Sequence, residues 1–127
     1  MILVDTSIWV DHFRNVDRDL ADLLEKGRVI AHPLVIGELA LGSLPQRQML
    51  LRLVHRLPQA TKASIDEALH FIDIHSLAGK GIGYVDVHLL ASTQLSAGAR
   101  LWTRDKRLAG VAEGLGLAMR PPPPLLR

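Results

Sequence analysis

The stretch "ILVDTSIWVDHF", Ile2–Phe13, decides how this chain reads. Ile2, Leu3 and Val4 form an apolar run too short for a helix, which is how a strand buried on both faces looks. The run ends on a carboxylate, Asp5, followed by two hydroxyls, Thr6 and Ser7. From Ser7 to Arg14 the spacing becomes helical, with Thr6 or Ser7 as the expected N-cap. Asp5 therefore stands at the carboxyl end of a buried strand. An unpaired carboxylate in such a place is costly, so it needs a hydrogen-bonding partner, a cation or a metal.

Working outward, the same alternation recurs. A helix is expected over residues 18–26, capped by Asp17 and ended by Gly27, and then a strand at Val29–Ala31. Pro33 suits the first turn of a helix running to Leu41. Another helix is expected from Gln46 to Arg56, with a brief strand at Leu57–Ala60 after it. Ser64 and Glu67 form a capping-box pair that should open a helix reaching about Leu77. "AGKGIG", Ala78–Gly83, is a break; Tyr84 to Ala97 is helical; "RLWT", Arg100–Thr103, is a strand. A last helix follows from Asp105 to Glu113, and Leu117–Met119 is a possible edge strand. Short strands alternating with helices imply an α/β fold around a parallel sheet, with helices on both faces. Ligands in such sheets bind beyond the carboxyl ends of the strands. Residues 1–120 are expected to form one domain, and "PPPP" within 121–127 a tail that can join neither helix nor sheet.

The bulk numbers agree with one globular domain. The chain has 127 residues, 48% of them hydrophobic, enough to bury a core without staples. The absence of cysteine excludes disulfides, thiolate metal sites and thiol nucleophiles, and suits a reducing cytoplasm. Neither a signal peptide nor a membrane span is expected, since no uninterrupted apolar run approaches the roughly 20 residues a span needs. The net charge is only +2. The basic residues gather late, however: Arg100, Arg104, Lys106, Arg107, Arg120 and Arg127 face only Asp105 and Glu113. Such a cluster is a solvated surface or a contact for a polyanion.

Four acids are polar exceptions in apolar surroundings: Asp5, Glu38 in "PLVIGELALG", Asp86 in "GYVDVHLLAS" and Asp105 in "TRDKRL". Singly, each has an ordinary reading: an N-cap for Asp105, a helix-dipole partner for Asp86, an ion pair for Asp5 or Glu38. Together they point elsewhere. Asp5 and Asp105 both follow strands, so parallel strands put them at one sheet edge, and Asp86 starts a helix that can face it. Crowded carboxylates repel and raise one another's pKa, a conflict that a hard divalent cation resolves. Oxygen-only ligands suit Mg²⁺ or Mn²⁺.

In their order, spacing and hydrophobic setting, these four segments resemble the acidic quartet of PIN-domain ribonucleases, and most of all the toxin component of VapBC-type toxin–antitoxin pairs. The resemblance runs to about Met119. It implies an α/β/α sandwich with a short, mainly parallel central sheet. It implies that Asp5, Asp86 and Asp105 ligate the catalytic Mg²⁺ or Mn²⁺ and that Glu38 completes the cluster. Thr6, Ser7 and Thr103 match supporting hydroxyls. The implied reaction is endonucleolytic hydrolysis of RNA in the cytoplasm. The implied partners are a small antitoxin that blocks the acidic pocket and a second copy of the chain. Arg104, Lys106 and Arg107 flank Asp105 and are candidate phosphate contacts.

Other classes fit less well. A Mg²⁺-dependent phosphatase of the haloacid-dehalogenase type needs an acid two residues after Asp5, where this chain has Ser7. A receiver-like signalling domain needs an acidic pair before the first helix, which is missing. A PIN-like module that binds RNA without cutting it would not need the intact quartet. "GKGIG" lacks the pattern of a phosphate-binding loop. None of the six histidines forms a ligand pair at helical spacing, and Trp9 and Trp102 read as packing residues.

Overall fold

The computed structural model describes residues 1–119, so the tail expected at 121–127 and the boundary at 120 lie outside the described residues. The elements run β1 (Ile2–Val4), α1 (Thr6–Arg14), α2 (Arg18–Glu25), β2 (Val29–Ile30), α3 (Pro33–Leu41), α4 (Arg47–Arg56), α5 (Ile65–Ile74), α6 (Tyr84–Leu95), β3 (Arg100–Trp102) and α7 (Lys106–Gly114). The strands pair in the order β2-β1-β3, all parallel, with Leu3 opposite Ile30 on one side and Leu101 on the other. The two short strands expected at 57–60 and 117–119 shrink to single parallel bridges, Ala31 with Gln59 and Leu101 with Ala118. Pro58 supplies no N–H to a ladder, which limits the pairing of the first segment.

The central strand explains the apolar run at the start of the chain. Leu3 and Val4 are fully buried because β1 has neighbours on both edges and helices on both faces. They join a single cluster with Ile8, Trp9, Leu20, Leu89, Leu101 and Leu108. Each such side chain contributes on the order of 1.5–3 kcal/mol by leaving water. Most expected helices form at or near their expected bounds. Ser64 and Glu67 make both bonds of the capping box, and Asp17 accepts the Leu20 N–H at 3.0 Å. The helix expected to reach Leu77 stops at Ile74, and the chain then turns through Ser76 at a φ of 53°.

This topology also selects a place on the sheet. From β1 the chain moves to β2 on one side, and β3 later returns on the other side. The strand order reverses at β1, and a crevice opens beyond its carboxyl end at such a point. Asp5 continues the ladder there, its N–H donating to the Trp102 carbonyl at 3.0 Å. Residues 103–105 therefore leave β3 directly beside Asp5.

Candidate active site

Asp5, rather than Thr6 or Ser7, occupies the N-cap position of α1, and its side chain makes no capping bond. The reason lies in its neighbours. Ser7 Oγ donates to Asp5 Oδ2 at 2.9 Å, and Thr103 Oγ1 donates to the same oxygen at 2.7 Å. The carboxylate is buried, with 7% of the residue exposed, and is held away from its own helix. The two hydroxyls meet its need for hydrogen bonds without neutralising its charge.

The other three acids come from different elements. Asp105 is the N-cap of α7 and uses Oδ1 for the Leu108 N–H at 3.0 Å. Its own N–H donates to Thr103 Oγ1 at 3.0 Å, so one hydroxyl links Asp5 to Asp105. Asp86, in the first turn of α6, accepts the Gly83 N–H on Oδ2 at 3.0 Å. Glu38 projects from the exposed side of α3 and accepts Thr6 Oγ1 on Oε1 at 2.6 Å. Of the apolar residues around Glu38 in sequence, Val35 and Leu39 are buried, whereas Leu41 is exposed beside it. The hydroxyls expected to support the site, Thr6, Ser7 and Thr103, each bond one of the four acids.

Electrostatics show that the acids sense one another. Burial pushes the Asp86 carboxyl above its usual range, the Gly83 N–H pulls it back, and the charges of Asp5, Asp105 and Glu38 push it up again. Among the described residues, no Lys or Arg forms an ion pair with any of the four. In each acid the hydrogen bonds among the described residues fall on one oxygen and leave the second open. As placed, no three His, Asp or Glu side chains among the described residues stand close enough to hold one ion together. The four share a field rather than a finished cage, because Asp86 and Asp105 each lean one oxygen into their own helix start. Open oxygens, mutual repulsion and no cationic partner are what a hard divalent cation requires of its ligands.

The basic residues beside Asp105 divide. Lys106 and Arg107 are exposed on the first turn of α7 and, with Lys80 and His75, line a cavity of about 420 Å³. The Arg107 side chain crosses Gly81, where φ is +79° and a Cβ would meet the guanidinium at 2.8 Å. Arg104 is engaged elsewhere: Nε donates to Asp11 Oδ2 at 3.0 Å and its terminal nitrogen to Asp17 Oδ2 at 2.7 Å.

One polar pair behind the site escapes a reading by sequence. His32 caps α3 by accepting the Leu34 N–H on Nδ1, so Nε2 carries the proton and donates to Ser92 Oγ at 3.0 Å. It braces α3, which carries Glu38, against α6, which carries Asp86. Burial, then the nearby His88 and Lys62, lower the His32 pKa from 6.5 to about 4. The one local signal was a His placed directly before a helix-starting Pro. Trp9 is fully buried, as a packing residue should be, although its Nε1 finds no partner among the described residues.

Comparison with known proteins agrees with this geometry. The sequence profile described as "PIN domain" matches residues 2–114. Two curated relatives, each named Ribonuclease VapC32 and coming from Mycobacterium tuberculosis strains CDC 1551 / Oshkosh and ATCC 25618 / H37Rv, are 48% identical over 119 residues. The alignment covers 94% of this chain and 96% of each relative. The profile spans the sheet, its helices and all four acids, and the relatives cover nearly the whole chain, so this chain belongs to the PIN-domain family and, within it, to the VapC-like members.

Proposed function

We propose that this protein is a metal-dependent endoribonuclease that hydrolyses RNA phosphodiesters, the toxin of a toxin–antitoxin pair acting in the cytoplasm. The observation that carries the reading is that Asp5, Glu38, Asp86 and Asp105, from four different parts of the chain, are each hydrogen-bonded on one oxygen and have no ion pair among the described residues. Relatives named ribonucleases at 48% identity support the same class of activity. No helix among the described residues is long and apolar enough to cross a membrane.

Asp5, Asp86 and Asp105 would hold Mg²⁺ or Mn²⁺, and Glu38 would complete the cluster. The bound ion supplies Lewis-acid polarisation of a phosphate oxygen and a more acidic attacking water. The chain's own residues supply placement. Ser7 and Thr103 fix the Asp5 carboxylate, and Thr6 fixes Glu38, so that the second oxygen of each stays available. The buried β1 and its flanking helices keep these groups rigid. Lys106 and Arg107, exposed and without an ion pair among the described residues, hold neighbouring phosphates. Residues 1–120 form the catalytic domain. A small antitoxin silences it by placing a basic side chain among the acids, and a second copy of the chain completes a homodimer.

The test is cleavage of a mixed RNA panel with and without Mg²⁺ or Mn²⁺, by the parent protein and by Asp5→Asn. Metal-dependent cleavage lost in the variant supports the assignment. Equal cleavage by both proteins rejects it.

A further inference from the structure

Arg104 lies between the two groups that hold Asp5 in place and start α7. Its backbone N–H donates to Ser7 Oγ at 3.0 Å, Thr103 before it bonds Asp5, and Asp105 after it is a quartet member. Its side chain turns away from that crevice. The guanidinium sits 5.7 Å from the centre of the Trp102 ring and forks between Asp11, one turn beyond Ser7 on α1, and Asp17, the N-cap of α2. Asp17 is the better-shielded partner, with 16% of its side chain exposed against 53% for Asp11. Burial pushes the Asp17 carboxyl up, yet the Leu20 N–H and the Arg104 guanidinium together hold it below its usual range. Two carboxylates on one guanidinium leave a local charge of −1, which repels a phosphate rather than attracting it.

We propose that Arg104 is a positioning residue that bolts the loop of residues 103–105 to α1 and to the start of α2, and so sets the spacing of Asp5 and Asp105 for the metal. The inference rests on the nuclease reading above. The loop is short and joins a buried strand to a helix, so a shift at Arg104 moves Thr103 and Asp105 together. Thr103 Oγ1 contacts both acids, and its displacement would release Asp5 Oδ2 as well. Groups that orient metal ligands in this indirect way typically matter by about 10–100-fold in metal affinity.

The experiment measures Mn²⁺ affinity by calorimetry and RNA affinity by fluorescence anisotropy in EDTA, on the full chain and its variants. Arg104→Gln should weaken Mn²⁺ binding about 10-fold or more and lower kcat more than it raises KM for RNA. Asp17→Ser keeps a helix-capping oxygen but removes the paired charge, and Asp11→Asn removes the other. Both should weaken Mn²⁺ binding in the same direction as Arg104→Gln, and Arg104→Lys, holding one acid at a time, should restore part of it. A phosphate-binding Arg104 gives the opposite pattern: unchanged Mn²⁺ affinity, weaker RNA binding in Arg104→Gln, and tighter RNA binding once Asp11 or Asp17 releases the guanidinium. That pattern overturns the proposal, as does unchanged Mn²⁺ affinity in Asp17→Ser should Arg104→Gln fail to fold. Asp5→Asn run in parallel separates the two levels: loss of cleavage there with intact Mn²⁺ binding in Arg104→Gln removes the clamp and leaves the nuclease.

Discussion

Two sets of carboxylates border the loop of residues 103–105, and they are treated in opposite ways. Asp11 and Asp17 share the Arg104 guanidinium. Asp5, Glu38, Asp86 and Asp105 share only hydroxyls and backbone N–H groups, and their charges act on one another. Arg104 serves the first set although it directly precedes Asp105. A protein selected for stability alone would pair both. The difference makes the first set a structural tie, and the proposed function reads the second as the place where a divalent cation would bind.

The sharpest way to break this contrast is to remove one charge from each set. Asp5→Asn or Asp86→Asn should lower the cleavage rate about 10²–10³-fold, the range seen when one electrostatic contact to a transition state is lost. Asp11→Asn, assayed at saturating Mn²⁺, should cost less than about 10-fold, since the clamp acts through ligand placement. Comparable losses from the two sets would erase the distinction between tie and site.

Acid probes the brace behind the quartet. His32 titrates near 4 in the folded protein against 6.5 for the free side chain. The unfolded chain therefore takes up a proton as pH falls below 6.5, while the folded protein does so only near 4. Stability contributed by the neutral ring is complete above 6.5 and declines across that window, by up to about 3 kcal/mol at its acid end. Urea unfolding between pH 4 and 7 should show this slope in the parent chain, and His32→Asn should flatten most of it. A slope unchanged by the substitution would mean that other groups carry the acid sensitivity.

The hydroxyl that joins two members of the quartet comes next in size. Thr103→Val keeps the shape of the side chain and removes the contacts of Oγ1 to Asp5, from the Asp105 N–H and with Ser7 Oγ. Cleavage should fall about 10–100-fold, with weaker Mn²⁺ binding. Full activity in this variant would show that Ser7 alone orients Asp5.

Much of this architecture could be read from the chain because its local signals agree. The run Ile2–Val4, the pair Pro33 and Gly42 and the capping box at Ser64 each match what the tertiary packing requires. The four acids stood out for the converse reason: each breaks an apolar pattern. What stayed hidden depends on distance in space. Nothing local shows that Arg104 reaches back more than eighty residues to Asp11 and Asp17, so its position beside Asp105 suggested a phosphate contact. Asp5 was likewise legible as a strand-ending acid, while its release from helix capping was not, because that depends on Thr103 arriving from β3. The segments at 57–60 and 117–119 have strand-like composition, yet each pairs through a single bridge.

The smallest expected effect is also the one that gives the two sets opposite signs in one assay. Asp86 carries a raised carboxyl pKa, so the folded, metal-free protein holds its proton more readily than the unfolded chain does. Its ionisation destabilises the fold as pH rises through the carboxylate range, and that penalty persists at neutral pH. Asn at position 86 can still accept the Gly83 N–H while removing the charge, so Asp86→Asn should raise the melting temperature in EDTA by a few degrees. Asp17 has a lowered pKa, so its ionised form supports the fold above the carboxylate range, and that support is lost as pH falls. Asp17→Ala, which loses both the cap and the ion pair, should lower stability by about 1–2 kcal/mol. Saturating Mn²⁺ should then stabilise the parent protein more than Asp86→Asn, because the charge that destabilises the metal-free fold is the charge proposed to bind the metal. A stability gain at 86 that survived in Mn²⁺ would separate Asp86 from the metal.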